Sequence, residues 1–598
     1  MSLAIDKSEV AMPGVEYPPK VDLRKDVYSP LPKIPPGTVD PSTMVGNTST
    51  TQAKYAFWRD IVALTSHLCT FSMPSIIAAA FLRMNDLRGI TGTIELTGDP
   101  HFAVIIPVLM FIDCGISFRT SSPALSCMGK IVLLPVNNDT TVESVSWKIW
   151  VLSTWVENIV QHPEDETLLL SPCRNLDSIY TIKTNIFIVG TGTSDLMTAA
   201  RLKALGVESV VVDRNTQVGD SWKNRYDCLR KELQSPCRLT KYDVAEHLRQ
   251  YATNFHLNFI LSATIYSTIY NPSEKKWHVK LKTADGSTTK TIISKHFVQA
   301  TGIASQKPYL PPMEDEHLFK GLNLHSTRYQ NARSLPEKGI KSVAVIGSAN
   351  TAFDVMEDCH NAGLKTTMVA RSPTYVFPYE YVMDPHAIRA YDNMPLDVAG
   401  RLLNTFPLAL SGQFSHALFA HLASQEPGRY LALSQAGFPV LDSRDPSVDI
   451  QHHLVERGGG HYVDVGGTNL IAEGKVVVRG RGLHRLRLSD GSFLDTDAVI
   501  WCTGFADQDV RATAMEVLGA GDPDVTNDNE LLCPKEIAAR LDASWGVDAE
   551  GEVRGVWKRH LNMENYWVIG GNIQSQRWWS RPMAQQIKLA LEGCLPPA

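Results

Sequence analysis

The sequence predicts an α/β chain: two units built as strand, glycine turn and helix, preceded by a smaller α+β unit. Three observations lead there. The runs Ile186-Phe187-Ile188-Val189-Gly190 and Val343-Ala344-Val345-Ile346-Gly347 each end in a glycine turn and run on into a helical stretch. The runs Phe297-Val298-Gln299-Ala300-Thr301-Gly302 and Val499-Ile500-Trp501-Cys502-Thr503-Gly504 each close such a unit, so the arrangement repeats. From Thr184 onward strands alternate with helices, as in parallel α/β construction, where strands buried on both faces read as continuous apolar runs.

Taken in order, residues 1–50 are rich in Pro, Ser, Thr and charge without period and are expected to form a disordered arm. The α+β unit is expected over 51–175. It opens with a helical stretch from Ala53 that carries Tyr55-Ala56-Phe57-Trp58-Arg59-Asp60, followed by strands near Thr91–Leu96, Phe102–Ile112, Lys130–Val136 and Val145–Ser153. The apolar run Phe102–Ile112 is too short to span a bilayer and reads as one buried strand. The first repeat is expected over 180–335, with an Asp285-Gly286 hairpin and a return segment at 496–598. The second, over 336–495, carries an Asp490-Gly491 hairpin and is about 45 residues longer, with a helical insertion at Pro395–Ser424. Thr240, with Asp243 three residues on, caps a helix near Lys241–Ala252. Near the end, Ser580 is read as the cap of a closing helix, with Pro582 in its first turn and Gly593 after it.

The two turns carry the chemistry. Gly190-Thr191-Gly192-Thr193-Ser194-Asp195 joins a strand to a helix; Gly190 permits a tight turn, and Gly192 lets a diphosphate approach the unpaired N–H groups of the helix end. The next strand, Ser209–Val212, ends in Asp213-Arg214, where a carboxylate can accept from ribose hydroxyls. Asp195 stands where a third glycine is expected. In the second turn, Gly347-Ser348-Ala349-Asn350-Thr351-Ala352, alanine replaces two of the three glycines, but the next strand ends in Arg371 at nearly the same spacing. An acid suits a free ribose diol and a guanidinium suits a 2′-phosphate. FAD in the first unit and NADPH in the second is the natural assignment, giving two Rossmann-like dinucleotide-binding domains.

Composition sets the outer limits. The 598 residues suggest about four folding units. A net charge of −6 gives no whole-chain field for nucleic acid. The ten cysteines include no C-x-x-C pair, which argues against a dithiol oxidoreductase and a zinc ribbon and fits a reducing, cytoplasmic setting. No metal site is expected, since His416 and His421 fall on different faces of a helix. The N-terminus shows no secretory signal and no membrane span is expected.

Beyond the turns, Phe319-x-Gly321-x-x-x-His325-x-x-x-Tyr329 and Gly219-Asp220-Ser221-Trp222-Lys223-Asn224-Arg225-Tyr226 stand on either side of the first unit's middle, and Thr503-Gly504-Phe505 follows the second. With these motifs, residues 184–596 resemble the flavin-containing monooxygenases, above all the YUCCA-type branch. The resemblance implies that NADPH reduces FAD, that O2 forms a flavin hydroperoxide, and that one oxygen passes to a small substrate. An arylpyruvate, such as indole-3-pyruvate, and a secondary-metabolite intermediate are both open. It implies cofactor contacts at Gly190, Gly192, Asp213, Arg214, Trp222, Arg225, Thr301, Gly302, Gly347, Ser348, Asn350, Thr351, Arg371, Thr503 and Gly504. No general base is named; Glu380 and His325 are read as ordinary polar contacts. Trp578 and Trp579 are read as packing residues that could also shape a substrate mouth. The aromatic arm that follows the R-Y segment in that family is cut short here at Arg230-Lys231, which opens a rival reading: a degenerate flavoprotein that binds FAD without turnover, or an oxidase that releases peroxide. The N-terminal unit is similar to the cone-shaped domains of the nuclear transport factor 2 and polyketide cyclase superfamily, with homodimerisation as one use.

Overall fold

The computed structural model describes residues 19–27, 31–32, 48–106, 109–137, 145–231, 239–284, 286, 288–302, 307–313, 316–479, 495–505, 510–520, 531–544 and 546–595. The expected arm at 1–50, Asp285, Asp490 and Gly491 lie wholly or mostly outside them.

The N-terminal unit is a six-stranded sheet with one helix. Its elements are β1 (Thr48–Ile61), β2 (Leu68–Ser72), α1 (Pro74–Arg88), β3 (Ile90–Ile106), β4 (Leu109–Ser121), β5 (Ala124–Asn137) and β6 (Val145–Ile159). The order is β2-β1-β6-β5-β4-β3; only the β1–β6 pair is parallel. The segment Tyr55–Asp60, expected as helix, is therefore strand. Trp58 packs with Ile77, Phe118 and Trp155, while its neighbour Phe57 packs with Phe111, Trp150 and Phe406. Apolar groups cover both faces here, so the period-two alternation that marks a half-exposed strand is missing. The helix lies later, with Pro74 at its first turn and Gly89 in the left-handed conformation at its end. The run Phe102–Ile112, expected as one buried strand, is shared between β3 and β4, which pair antiparallel.

The first nucleotide unit begins with β7 (Thr181–Val189), α2 (Thr193–Ala204) and β8 (Ser209–Val212). β7 lies between β8 and the strand Thr289–Gln299, parallel to both, and the strand Tyr566–Val568 joins Thr289–Gln299. In the second unit Ser342–Ile346 lies between Lys365–Val369 and Ala498–Trp501, again parallel to both. The repeat is thus one of topology as well as of sequence. The unit boundaries differ from those expected: Leu322–His325 and Ala498–Trp501 both belong to the second sheet, so this unit starts before residue 336 and ends after 495. The insertion forms two helices, Leu396–Asn404 and Leu408–Gln425. The closing helix runs Ile573–Leu591 and is capped by Asn572, so Ser580 and Pro582 are interior rather than at its start. Gly593 follows its end with φ 68°.

The N-terminal sheet is held from both sides. Leu589 and Trp579 of the closing helix pack against Trp58 and Trp155 on one face; Phe406 and Leu410 of the insertion pack against Phe111 and Trp150 on the other. Arg59 is 3% exposed and makes a bidentate ion pair with Glu552, at 2.7 Å for both contacts. It also donates to the carbonyl of Asn404, and Ser153 Oγ donates to the carbonyl of Thr405 at 2.6 Å. Arg59 and Asp60 are therefore both buried. Asp60 accepts from Thr65, Thr154 and the Leu64 N–H, which accounts for its carboxylate within the core.

Candidate dinucleotide and substrate site

One cavity of about 2610 Å³ opens where the strands of both nucleotide sheets end. All of the cofactor positions expected from the sequence line it: Gly190, Gly192, Asp213, Arg214, Trp222, Arg225, Thr301 and Gly302 from the first unit, and Gly347, Ser348, Asn350, Thr351, Arg371, Thr503 and Gly504 from the second. Parallel strands end on the same edge, and helices start there, so their unpaired N–H groups face the same space.

The opening glycines do the same work in both units. Gly190 has φ 122° and a Cβ there would lie 2.7 Å from the carbonyl oxygen of Ala300; Gly347 has φ 133° and its Cβ would lie 2.5 Å from that of Cys502. A side chain at either position would force the backbone to shift. A Cβ on Gly192 would meet only Asp195 Oδ1, at 3.5 Å, and would otherwise stand in the cavity. That is the bare backbone a diphosphate requires.

Asp213 is fixed by two donors, Thr191 Oγ1 at 2.8 Å and the N–H of Asn215 at 2.8 Å, and borders the cavity as a ribose-binding acid must. Asp195 is 1% exposed; its Oδ2 accepts from the N–H of Gly192 at 2.6 Å, and burial holds its carboxyl up at about 8. The Arg225 guanidinium lies 4.8 Å from the Trp222 ring centroid. The short link after it ends in a two-residue ladder, Arg230–Lys231 with Leu239–Thr240; residues 232–238 lie outside the described residues. Tyr226 donates to Asp354 at 2.6 Å, tying this link to the helix Asn350–Asn361 of the second unit.

In the second turn Thr374 donates to Ser348 Oγ at 2.6 Å and Asn350 Oδ1 accepts from the N–H of Val463 at 2.9 Å. Arg371 is joined by Arg457, whose guanidinium is held below its ordinary range by burial and by the charge of Arg371. Both line the cavity that Asp213 also borders, making a cationic edge there. Arg457 escaped sequence reasoning, although Gly458-Gly459-Gly460, all with positive φ, flag a backbone turn there. Glu380 lies on the surface beside Arg429, and His325 is buried with Nδ1 against Thr327; burial holds its ring below the usual imidazole range. Neither is placed as a base.

The N-terminal sheet supplies a wall that the sequence did not reveal. Arg59, Lys130 and Trp155 line the cavity with Phe406, Phe414 and Trp579. Lys130 is 5% exposed and sits 3.7 Å from the Phe406 ring centroid and 3.7 Å from Asp113; burial pushes its ammonium down to about 8. Trp579 stacks on Trp557 at 4.5 Å with Arg59 above it, so it packs and borders the cavity at once. Among the described residues no group of three or more His, Cys, Asp and Glu could hold a metal, and no helix is long and apolar enough to cross a membrane.

Residues 182–393 match the family model for pyridine nucleotide-disulphide oxidoreductases. The chain is 27% identical over 340 residues to the probable indole-3-pyruvate monooxygenase YUCCA3 of Arabidopsis thaliana, covering 53% of this chain and 72% of that protein. It is 27% identical over 360 residues to indole-3-pyruvate monooxygenase YUCCA8 of Oryza sativa subsp. indica, covering 56% and 77%. Over this stretch the chain is similar to flavin monooxygenases. A solved flavin-containing monooxygenase from Stenotrophomonas maltophilia aligns with 69% of this chain and 99% of its own, at 16% identity and a TM-score of 0.43. The bare glycine turns, the acid after the first and the bases after the second fit FAD and NADPH. Asp195 is the residue that sets its first turn apart from the expected glycine pattern.

Proposed function

We propose that this protein uses NADPH and O2 to oxygenate a small organic substrate, an arylpyruvate-like acid or a secondary-metabolite intermediate, at FAD held in the first unit. The observation that supports this best is that the acid-ended turn and the base-ended turn open onto the same cavity. Bound FAD supplies the redox chemistry and the activation of O2. The chain's own residues bind and enclose. Asp213 accepts from the adenosine ribose of FAD, the Gly190–Ser194 turn receives its diphosphate, and Arg371 with Arg457 holds the 2′-phosphate of NADPH. Trp155, Phe406 and Trp579 exclude water from the substrate end. In this reading the N-terminal sheet, whose strand order suits a cone-like domain, takes over the role of the missing aromatic arm.

A second reading draws on Asp195 and the short link at Arg230-Lys231: the flavin is bound weakly or reoxidised with release of peroxide. Anaerobic bleaching of the FAD-loaded protein by NADPH tests the cofactor assignment. Oxygen uptake with indole-3-pyruvate or phenylpyruvate then separates the two readings. One product per O2 supports oxygenation; stoichiometric peroxide without product supports the oxidase reading. We also assign the protein to the cytoplasm, since the described cysteines are all free, and place a homodimer contact on the exposed Ile76, Leu82 and Leu87 of α1. A monomer mass by light scattering removes the latter.

A further inference from the structure

We propose that Asp195 binds the FAD diphosphate as a neutral carboxylic acid, donating through Oδ1, so that flavin uptake is coupled to protonation of this side chain. The inference rests on the FAD reading above.

The geometry comes first. Asp195 is the third residue of α2, is 1% exposed and borders the cavity at the first glycine turn. Its Oδ2 is committed: it accepts from the N–H of Gly192 at 2.6 Å. Its Oδ1 is buried and has no hydrogen-bond partner. A Cβ on Gly192 would lie 3.5 Å from that oxygen, which puts it beside the backbone that a diphosphate approaches.

The chemistry follows from that one unpartnered atom. An ionised carboxylate here has only acceptor oxygens, so Oδ1 would face a diphosphate as like charge against like. A carboxylic acid turns the same atom into a donor, and a hydrogen bond to a charged phosphate oxygen is among the stronger ones. The surroundings favour the acid. Burial is the largest influence, opposed by the N–H groups of Asp195 and Gly192 and reinforced by the Asp213 carboxylate at the end of β8. The turn Ala300–Gly302 presents its backbone and one hydroxyl, and Arg214 lines the cavity beyond Asp213. A bound diphosphate moves the group further in the same direction. Above the point where the apoprotein ionises, each FAD taken up therefore takes up one proton.

The test is equilibrium binding of FAD to apoprotein, read by quenching of flavin fluorescence from about pH 6.5 to about pH 9.5. For the wild type, Kd is expected to be flat at the acid end and to rise about tenfold per pH unit once the acid ionises. Asp195→Asn keeps an acceptor for Gly192 and a donor that does not titrate, so its Kd should stay flat and tight. Asp195→Gly lacks the donor, so its Kd should be flat and weaker than that of Asp195→Asn. A flat wild-type curve, or an equal rise in Asp195→Asn, overturns the proposal while leaving the FAD reading intact. If none of the three binds FAD at any pH, although circular dichroism shows each folded, the FAD reading falls and this inference with it.

Discussion

Replacing Arg371 by Gln tests the NADPH assignment most directly. Arg371 and Arg457 both reach the cavity rim, close enough for the charge of one to act on the other. A hydrogen bond to a charged group is worth about 1.5–3 kcal/mol, and each 1.4 kcal/mol is tenfold in affinity. Arg371 is exposed, so solvent screening places the effect at the lower end, about tenfold at physiological salt and more at low salt. The expected result of R371Q is a rise of about tenfold in KM for NADPH, in anaerobic flavin reduction, with the KM for NADH changed by less than about threefold. R457Q should act in the same sense. The double variant should lose less than the product of the two, because the two guanidiniums repel each other before the phosphate arrives. Equal effects of R371Q on NADPH and NADH, or no effect on either, would refute the assignment of this edge to the 2′-phosphate.

Other consequences can be checked on the apoprotein. Arg59→Met leaves the buried Glu552 carboxylate without its bidentate partner and should destabilise the fold by about 3–5 kcal/mol, with most of the loss restored in R59M/E552M; a loss under about 1 kcal/mol in urea unfolding counts against the buried pair. Since the folded state holds Asp195 up at about 8, above its ordinary range, the neutral form is favoured there and stability falls as pH rises from the carboxylate range to about 8, then levels; D195N should remove that slope in thermal unfolding. Gly347→Ala brings a Cβ to 2.5 Å from the Cys502 carbonyl and should cost about 1–3 kcal/mol and abolish bleaching by NADPH while the protein stays yellow. Loss of bound flavin in G347A would show that the two turns are not independent.

Both nucleotide units were legible because parallel strands buried on two faces make continuous apolar runs, and because a glycine at each strand end and a charged residue after the next strand mark the edge that borders the cavity. The same two-sided burial misled at β1, where Tyr55–Asp60 carries no alternation to distinguish strand from helix. The closing helix was placed too late because Pro582 reads as a first-turn residue. In the fold it lies within a helix that Asn572 starts, and its carbonyl accepts from the side-chain amide of Gln586. The second unit's edges were misplaced because Leu322–His325 and Ala498–Trp501 join a sheet from outside its main run of sequence. Arg457 and Lys130 reach the cavity only through tertiary folding: one through a turn after the insertion, the other through a strand of a separate unit.

The attachment of the N-terminal sheet has a mechanical outcome. Residues Asn404–Phe406, an excursion of the second nucleotide unit, bond to and pack on β1 and β6, while Glu552 and the Ile573–Leu591 helix anchor those same strands to the first unit. The sheet is thus a strut between the two halves. Any rotation of one nucleotide unit against the other must either carry this strut along as a rigid body or break the grip of Asn404–Phe406 on it.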